Sequence, residues 1–279
     1  MSSVMWFIMT DYESGTEEGY ATFDKFKMHY LKWGKSGKDI VALHSMMMDA
    51  HSFDFLAQSL SGSNRVLAID LLGHGDSEKP VDKISIEKHT DIIRDISESL
   101  GFRNLVLLGH SVGGYISMIY AAKYPTEVSR VILVDIAPRD PAVKRVIREV
   151  PPSFRSKDNL LSYIKETYPY FPSESIDNRL KHAFRTHPDG QFTWKTDLRS
   201  AEMVRDSFVN HDFWPYIKQI RAPTLLIKGA RSEVISNSIL NLMKEVMSNF
   251  SVVELKNAGH QVPLDSPKEF EDAVKRFIT

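Results

Sequence analysis

The chain has no cysteine among its 279 residues. Disulfides, thiolate nucleophiles and cysteine-ligated zinc or iron–sulfur centres are therefore excluded, and thiol content says nothing about the redox compartment. An excess of charge of one sign is missing too: 35 Lys and Arg stand against 36 Asp and Glu, a formal charge of -1. That balance gives no electrostatic basis for a nucleic-acid or membrane partner. The apolar segment Met1–Met9 is too short to span a bilayer and lacks a basic n-region and a small-residue cleavage site. It reads as a strand or a packed tail, and the protein as intracellular and cytoplasmic. No fixed-period repeat, Walker motif or dinucleotide fingerprint occurs; the turn Gly73-His74-Gly75 lacks the third glycine such a fingerprint needs. No cofactor and no metal are expected.

What is present is an ordinary globular composition, 42% hydrophobic and 25% charged, in a chain long enough for one large domain with an insertion. Short β-branched and Leu-rich runs recur at Ile40–Leu43, Arg65–Asp70, Asn104–Leu108, Arg130–Asp135, Pro223–Lys228 and Ser251–Leu255. Near-continuous apolar runs of this length suit strands buried on both faces, in a parallel sheet covered by helices. Helical spacing falls between them at His51–Leu60, Ile86–Leu100, Gly113–Lys123, Asn237–Met247 and Pro267–Phe277. The pattern predicts an α/β fold: a doubly wound, mostly parallel sheet with helices on both faces. A strand pair near Tyr20–Tyr30 is expected to join as an antiparallel edge.

The rhythm breaks between Ala137 and Lys218, where prolines are frequent and helix-like pieces appear at Ala142–Glu149, Leu160–Thr167 and Ile176–Thr186. Strand runs are not visible there. Residues 137–218 are expected to form a helical cap, with 1–136 and 219–279 as the core domain. Such a cap would sit over the carboxyl edge of the sheet, where open α/β folds bind ligands. Its arginines include Arg139, Arg145, Arg148, Arg155, Arg185, Arg199 and Arg205; one turned inward would grip a substrate carboxylate.

Leu105 to Gly114 reads strand, G-x-S-x-G, helix, with Ser111 at the centre. A serine on a tight strand-to-helix turn projects its hydroxyl from the sheet edge, and flanking glycines avoid clashes with the neighbouring elements. The helix that follows aims free N–H groups and a positive dipole end at an oxyanion. His260 lies just past the last strand run, after Gly259 and before a final helix. Those two residues suit nucleophile and general base.

With His44-Ser45-Met46, Asp70-Leu-Leu-Gly73-His74-Gly75-Asp76-Ser77, the turn Gly109–Gly113 and Asn257-Ala-Gly259-His260-Gln-Val-Pro263 in this order, the sequence strongly resembles the α/β-hydrolase family. The resemblance covers most of the chain outside the cap. It implies Ser111 as nucleophile, His260 as base, and the backbone N–H groups of Met46 and Val112 as oxyanion donors. The family's usual Asp after the strand at Pro223–Gly229 is replaced by Ser232, so the acid is either Asp135, the preferred choice, or Glu233. Ser45 stands where relatives carry glycine. Ser45, Met47, His110 and Trp214 are expected to contact a small-molecule substrate, with His44, His74 and His110 as hydrogen-bonding supports.

The leading expectation is a cofactor-free hydrolase cleaving a carboxylic ester through an acyl-enzyme. C–C, lactone or amide cleavage by the same residues is the alternative within enzymes. A ligand sensor that has lost turnover is the alternative outside them, although a sensor needs neither Ser111 nor His260. Homo-oligomer formation is left open.

Overall fold

The computed structural model describes residues 7–11, 15–138 and 149–279. An antiparallel entry is formed by β1 (Phe7–Asp11), β2 (Thr16–Phe23) and β3 (Phe26–Trp33), and the apolar runs then become β4 (Lys38–Leu43), β5 (Asn64–Ile69), β6 (Leu105–His110) and β7 (Val128–Val134). Between and after them run α1 (Asp54–Leu60), α2 (Ile86–Ser99) and α3 (Val112–Lys123). Beyond β7 come β8 (Ser153–Phe154), α4 (Lys157–Thr167), α5 (Ser173–His182), β9 (Phe184–Thr186), β10 (Phe192–Trp194), α6 (Leu198–Phe208) and α7 (Trp214–Ile217). The chain returns to the sheet with β11 (Thr224–Gly229), α8 (Asn237–Val246), β12 (Phe250–Leu255), α9 (Val262–Asp265) and α10 (Pro267–Ile278).

The main sheet has the order β1-β2-β3-β5-β4-β6-β7-β11-β12. From β5 to β12 every pairing is parallel; β1, β2 and β3 pair antiparallel and close one edge. Alternation along each central strand feeds two cores. Val41, Leu43, Leu107, Leu133 and Leu226 enter one cluster, while Ile40, Ala42, Val106, Leu108, Ile132 and Ile227 enter the cluster on the opposite face. This two-sided burial explains why the strands read as unbroken apolar runs rather than alternating ones.

The expectation of an insertion without strands is corrected. Residues 153–194 contain a second, three-stranded sheet in the order β8-β10-β9. Strands of two and three residues carry no readable period, and their cohesion is aromatic: Phe154, Phe184 and Trp194 pack with ring centroids 4.4 to 5.9 Å apart. The helix expected through Thr186 ends at His182, and β9 takes its last residues. The piece Ala142–Glu149 falls outside the described residues except for Glu149, which is not helical. Residues 1–6 of the N-terminal segment are likewise outside; Phe7–Asp11 is strand. No described helix is long and apolar enough to cross a membrane.

One buried polar cluster ties the antiparallel edge to the carboxyl end of β5. His29 on β3 is fully buried, with Nδ1 2.7 Å from Asp70 Oδ2 and Nε2 3.0 Å from Glu18 Oε1. Asp70 also accepts from Ala50 N–H (2.7 Å) and Asp76 N–H (2.8 Å). Burial alone would lower the pKa of His29, but its bonds to Asp70 and Glu18 outweigh burial and hold it at about 10. Burial pulls Asp70 upward, and the bond and charge of His29 overcome that and keep it well below the usual carboxylate range.

A raised histidine pKa gives stability that is complete below the unfolded value near 6.5 and is lost as pH climbs through about 10. Between pH 7 and 10 the Tm should therefore fall by on the order of 5 °C more in the wild type than in His29→Gln. Parallel Tm–pH curves for the two proteins would refute the linkage.

Candidate active site

Register brings the functional segments together. Leu43 of β4 lies beside Gly109 of β6, Val134 of β7 beside Ile227 of β11, and Gly229 beside Leu255 of β12. The loops leaving these strands, which carry Met46, Ser111, Asp135, Ser232 and His260, thus emerge along one carboxyl edge.

Ser111 links β6 to α3 with φ 52° and ψ -115°, a conformation unfavourable for a residue with a Cβ. Its N–H donates to Val134 O at 3.1 Å, and its carbonyl accepts from Gly114 and Tyr115, so both flanks hold the strained turn. The glycines are steric necessities: a Cβ on Gly113 would collide with the Leu43 carbonyl of β4, and one on Gly109 with the Gly113 carbonyl and Ser117 Oγ. The first two amides of α3, those of Val112 and Gly113, precede any carbonyl of the helix that could accept from them.

Ser111 Oγ is 3.2 Å from His260 Nε2, and His260 Nδ1 is 2.8 Å from Asp135 Oδ2. An Nδ1–H donated to Asp135 leaves the Nε2 lone pair facing the serine hydroxyl. Asp135 is buried and also has positive φ, 45°, which turns its side chain back across the strand end. Its Oδ1 accepts from Gly229 N–H at 3.1 Å, and its Oδ2 also accepts from the Ser232 hydroxyl. Those donors offset the cost of burying the carboxylate.

The loop carrying His260 is pinned from below. His110 Nε2–H donates to the His260 carbonyl at 2.7 Å, and Asp265 Oδ2 accepts from Gly259 N–H at 2.9 Å. Burial first, and the neighbouring His260 second, push His110 well below the ordinary imidazole range, so it serves as a neutral donor. Burial raises Asp265 to about 6. On the other side, His44 donates from Nδ1 to Ser45 O at 2.7 Å and accepts Leu71 N–H at Nε2 at 2.9 Å. Met48 N–H closes a turn on Ser45 O at 3.1 Å, and Met47 at its crest has φ 63°.

An α/β-hydrolase fold model matches residues 40–267 of the chain. The chain belongs to the α/β-hydrolase fold family. Among curated α/β-hydrolase relatives, a Drosophila melanogaster protein named "Probable serine hydrolase" is 28% identical over 278 residues, covering 88% of this chain and 82% of its own. The 2-(acetamidomethylene)succinate hydrolase of Mesorhizobium japonicum is 25% identical over 248 residues, covering 87% and 88%. In fold, the chain is similar to a solved E-2-(acetamidomethylene)succinate hydrolase, with a TM-score of 0.80, 22% identity and 99% coverage of both chains. A thioesterase domain from the curacin biosynthetic pathway follows at TM-score 0.79, 20% identity, and coverage of 93% and 99%.

Within this α/β-hydrolase frame, the structure brings Ser111, His260 and Asp135 into one hydrogen-bonded line. Glu233, the alternative acid, is exposed, one residue past the Ser232 hydroxyl that reaches Asp135. His110 and Ser45, expected at the substrate, are buried and occupied with backbone carbonyls and turn geometry. Trp214 opens α7, which packs on α3, and it adds to the larger core cluster; no described contact joins it to Ser111. Met47 is half-buried and packs against the apolar cluster of the inserted segment that holds Phe154, Phe184 and Trp194. Of the cap arginines, Arg155, Arg185 and Arg199 are exposed, and Arg139, Arg145 and Arg148 lie outside the described residues.

Two described clusters have metal-ligand character, His51–Asp54–His182 and His29–Asp70–Asp76. In the first, the imidazoles stack face to face with centroids 3.4 Å apart, so their in-plane lone pairs do not converge on one ion. In the second, both nitrogens of His29 are bound to carboxylates. Neither cluster contains a member of the Ser111–His260–Asp135 line.

Proposed function

We propose that this hydrolase of the α/β-hydrolase family is a serine enzyme that cleaves a carboxylic ester, or a related acyl bond, of a small molecule through a covalent acyl-enzyme. The single observation carrying the reading is the unbroken line from Ser111 Oγ to His260 Nε2 and from His260 Nδ1 to Asp135. Ser111 Oγ attacks the carbonyl carbon while His260 Nε2 takes its proton; Asp135 holds the imidazole and stabilises the imidazolium. The N–H groups of Met46 and Val112 receive the oxyanion. Collapse of the tetrahedral intermediate expels the alcohol, which takes the proton from His260. Water, deprotonated by His260, then attacks the acyl-enzyme and returns the serine.

The relatives support acyl chemistry: a serine hydrolase, a thioesterase domain, and a hydrolase whose named substrate carries an acetamido group. Amide or lactone cleavage uses the same residues and is the second reading. Residues 137–218 serve as the cap: Tyr170 lies where a Cβ on Gly259 would be, beside His260, and Ser175 Oγ donates to Leu264 O at 2.7 Å.

A fluorophosphonate probe should label Ser111 to near one equivalent, read by mass spectrometry, and short-chain p-nitrophenyl esters should turn over. Neither label nor turnover would sink the reading. Ser232→Ala removes one of the donors to Asp135, leaving His260 and Gly229 in place, and should lower kcat/KM on the order of tenfold. A loss beyond a thousandfold would mean that Ser232 does more than support the carboxylate.

A further inference from the structure

We infer that Arg179, on α5 of the inserted segment, is a positioning residue that holds the 44–50 loop in its oxyanion-binding geometry. The inference rests on the serine-hydrolase reading above. Its side chain is 2% exposed and its guanidinium spans two groups of that loop. One terminal nitrogen donates to Asp49 Oδ2 at 2.9 Å, and the other donates to the Met47 carbonyl. The ring faces of Trp194 and Phe184 lie 5.5 and 5.9 Å from the guanidinium carbon and limit its plane.

The loop needs such a clamp. Met47 sits at φ 63°, a conformation that costs a side-chain-bearing residue free energy and that a single local hydrogen bond, Met48 N–H to Ser45 O, supports from within the loop. From below, Asp70 holds Ala50 N–H, and His44 holds Ser45 O; Ser52 N–H bonds the Asp49 carbonyl from within the same loop, and the Asp49 carboxylate and the Met47 carbonyl are met by Arg179 of the inserted segment. The Met46 N–H lies between these anchors. Release of the Met47 carbonyl would let the turn relax and swing that N–H away from the oxyanion. A buried ion pair contributes little net stability after desolvation, so fixing one loop geometry is the physical advantage of keeping it here. Arginine rather than lysine fits, because one planar fork must meet a carboxylate and a carbonyl at once.

The test uses the full chain with Arg179→Gln and Arg179→Lys, the latter preserving the charge opposite Asp49. Active sites are counted by the fluorophosphonate end point, and kcat is expressed per counted site. Hydrogen exchange of the peptide covering residues 44–50 is followed in parallel. Arg179→Gln should lower kcat per site about 10- to 100-fold, with KM and the acid limb of the pH profile unchanged. Exchange in 44–50 should rise about tenfold or more while β6 and α3 stay protected. Arg179→Lys should fall between the two proteins. Unchanged exchange in 44–50 overturns the clamp whatever the kinetics. Faster exchange with kcat per site within twofold of wild type overturns its link to the oxyanion. A wild type that neither labels nor turns over esters, yet shows the exchange response, overturns the serine-hydrolase reading and leaves the clamp standing.

Discussion

Ser111→Ala should lose about 10⁴-fold or more in kcat on any ester the wild type turns over, with the fold and the Tm nearly unchanged. The alanine keeps the Cβ and therefore the strain of φ 52°, and it removes only the atom that forms the bond. Ser111→Gly should be equally inactive but more stable, and the comparison isolates the strain. Glycine adopts this conformation freely, which recovers about 1–3 kcal/mol, while its looser unfolded chain costs about 0.5–1 kcal/mol. The net gain is about 1 kcal/mol, readable by chemical denaturation. A glycine variant less stable than the alanine variant would mean that the turn stores no strain. Residual turnover in Ser111→Ala equal to wild type would remove the serine from the mechanism altogether.

Such strain was legible in the sequence only at Ser111, through the glycines that flank it. The parallel sheet was equally legible, because the stretch of a strand buried on both faces must be apolar throughout, and Ile40–Leu43 of β4, Leu105–Leu108 of β6, Val131–Val134 of β7 and Leu225–Ile227 of β11 are. The strands of the inserted segment were not, since two or three residues cannot display a period. Met47 at positive φ was invisible as well, since methionine does not announce that conformation; aspartate tolerates it better, but nothing in the sequence singled out Asp135 for it. Arg179 escaped notice among the more conspicuous arginines of the insertion. In α5 the buried residues are Ser175 and Arg179, spaced by four, whereas the apolar Ile176 and Leu180 are only partly buried, so residue type pointed to the wrong face. His110 and Ser45 are buried, and His110 acts as the hydrogen-bonding support also expected of it. Proximity in sequence to the nucleophile or the oxyanion loop does not decide whether a side chain faces the cavity or the protein beneath it.

The proposed acid is Asp135, because it is the carboxylate that meets His260 Nδ1. Ser232 stands at the family's usual acid position, and its hydroxyl meets the same Oδ2 of Asp135 that binds His260. Two strand ends, β7 and β11, thus converge on one point behind the imidazole, and on the proposed reading the carboxylate is the one that follows β7. Asp135→Asn should cut kcat about 10³- to 10⁴-fold. With Gly229 N–H fixing the asparagine oxygen at the Oδ1 place, the amide NH₂ falls beside His260 Nδ1. The imidazole must then accept there and carry its proton on Nε2, pointing the wrong tautomer at Ser111. Glu233→Gln should stay within twofold of wild type, because Glu233 is exposed and no described hydrogen bond joins it to Ser111, His260 or Asp135. The decisive variant is Asp135→Asn combined with Ser232→Asp, which returns a carboxylate to the same point from β11. It should regain about 10- to 100-fold over Asp135→Asn alone, measured as kcat/KM across the pH range. A dead Glu233→Gln beside an active Asp135→Asn would move the acid to Glu233, and no rescue by Ser232→Asp would show that the backbone of β7, not the charge alone, sets the imidazole.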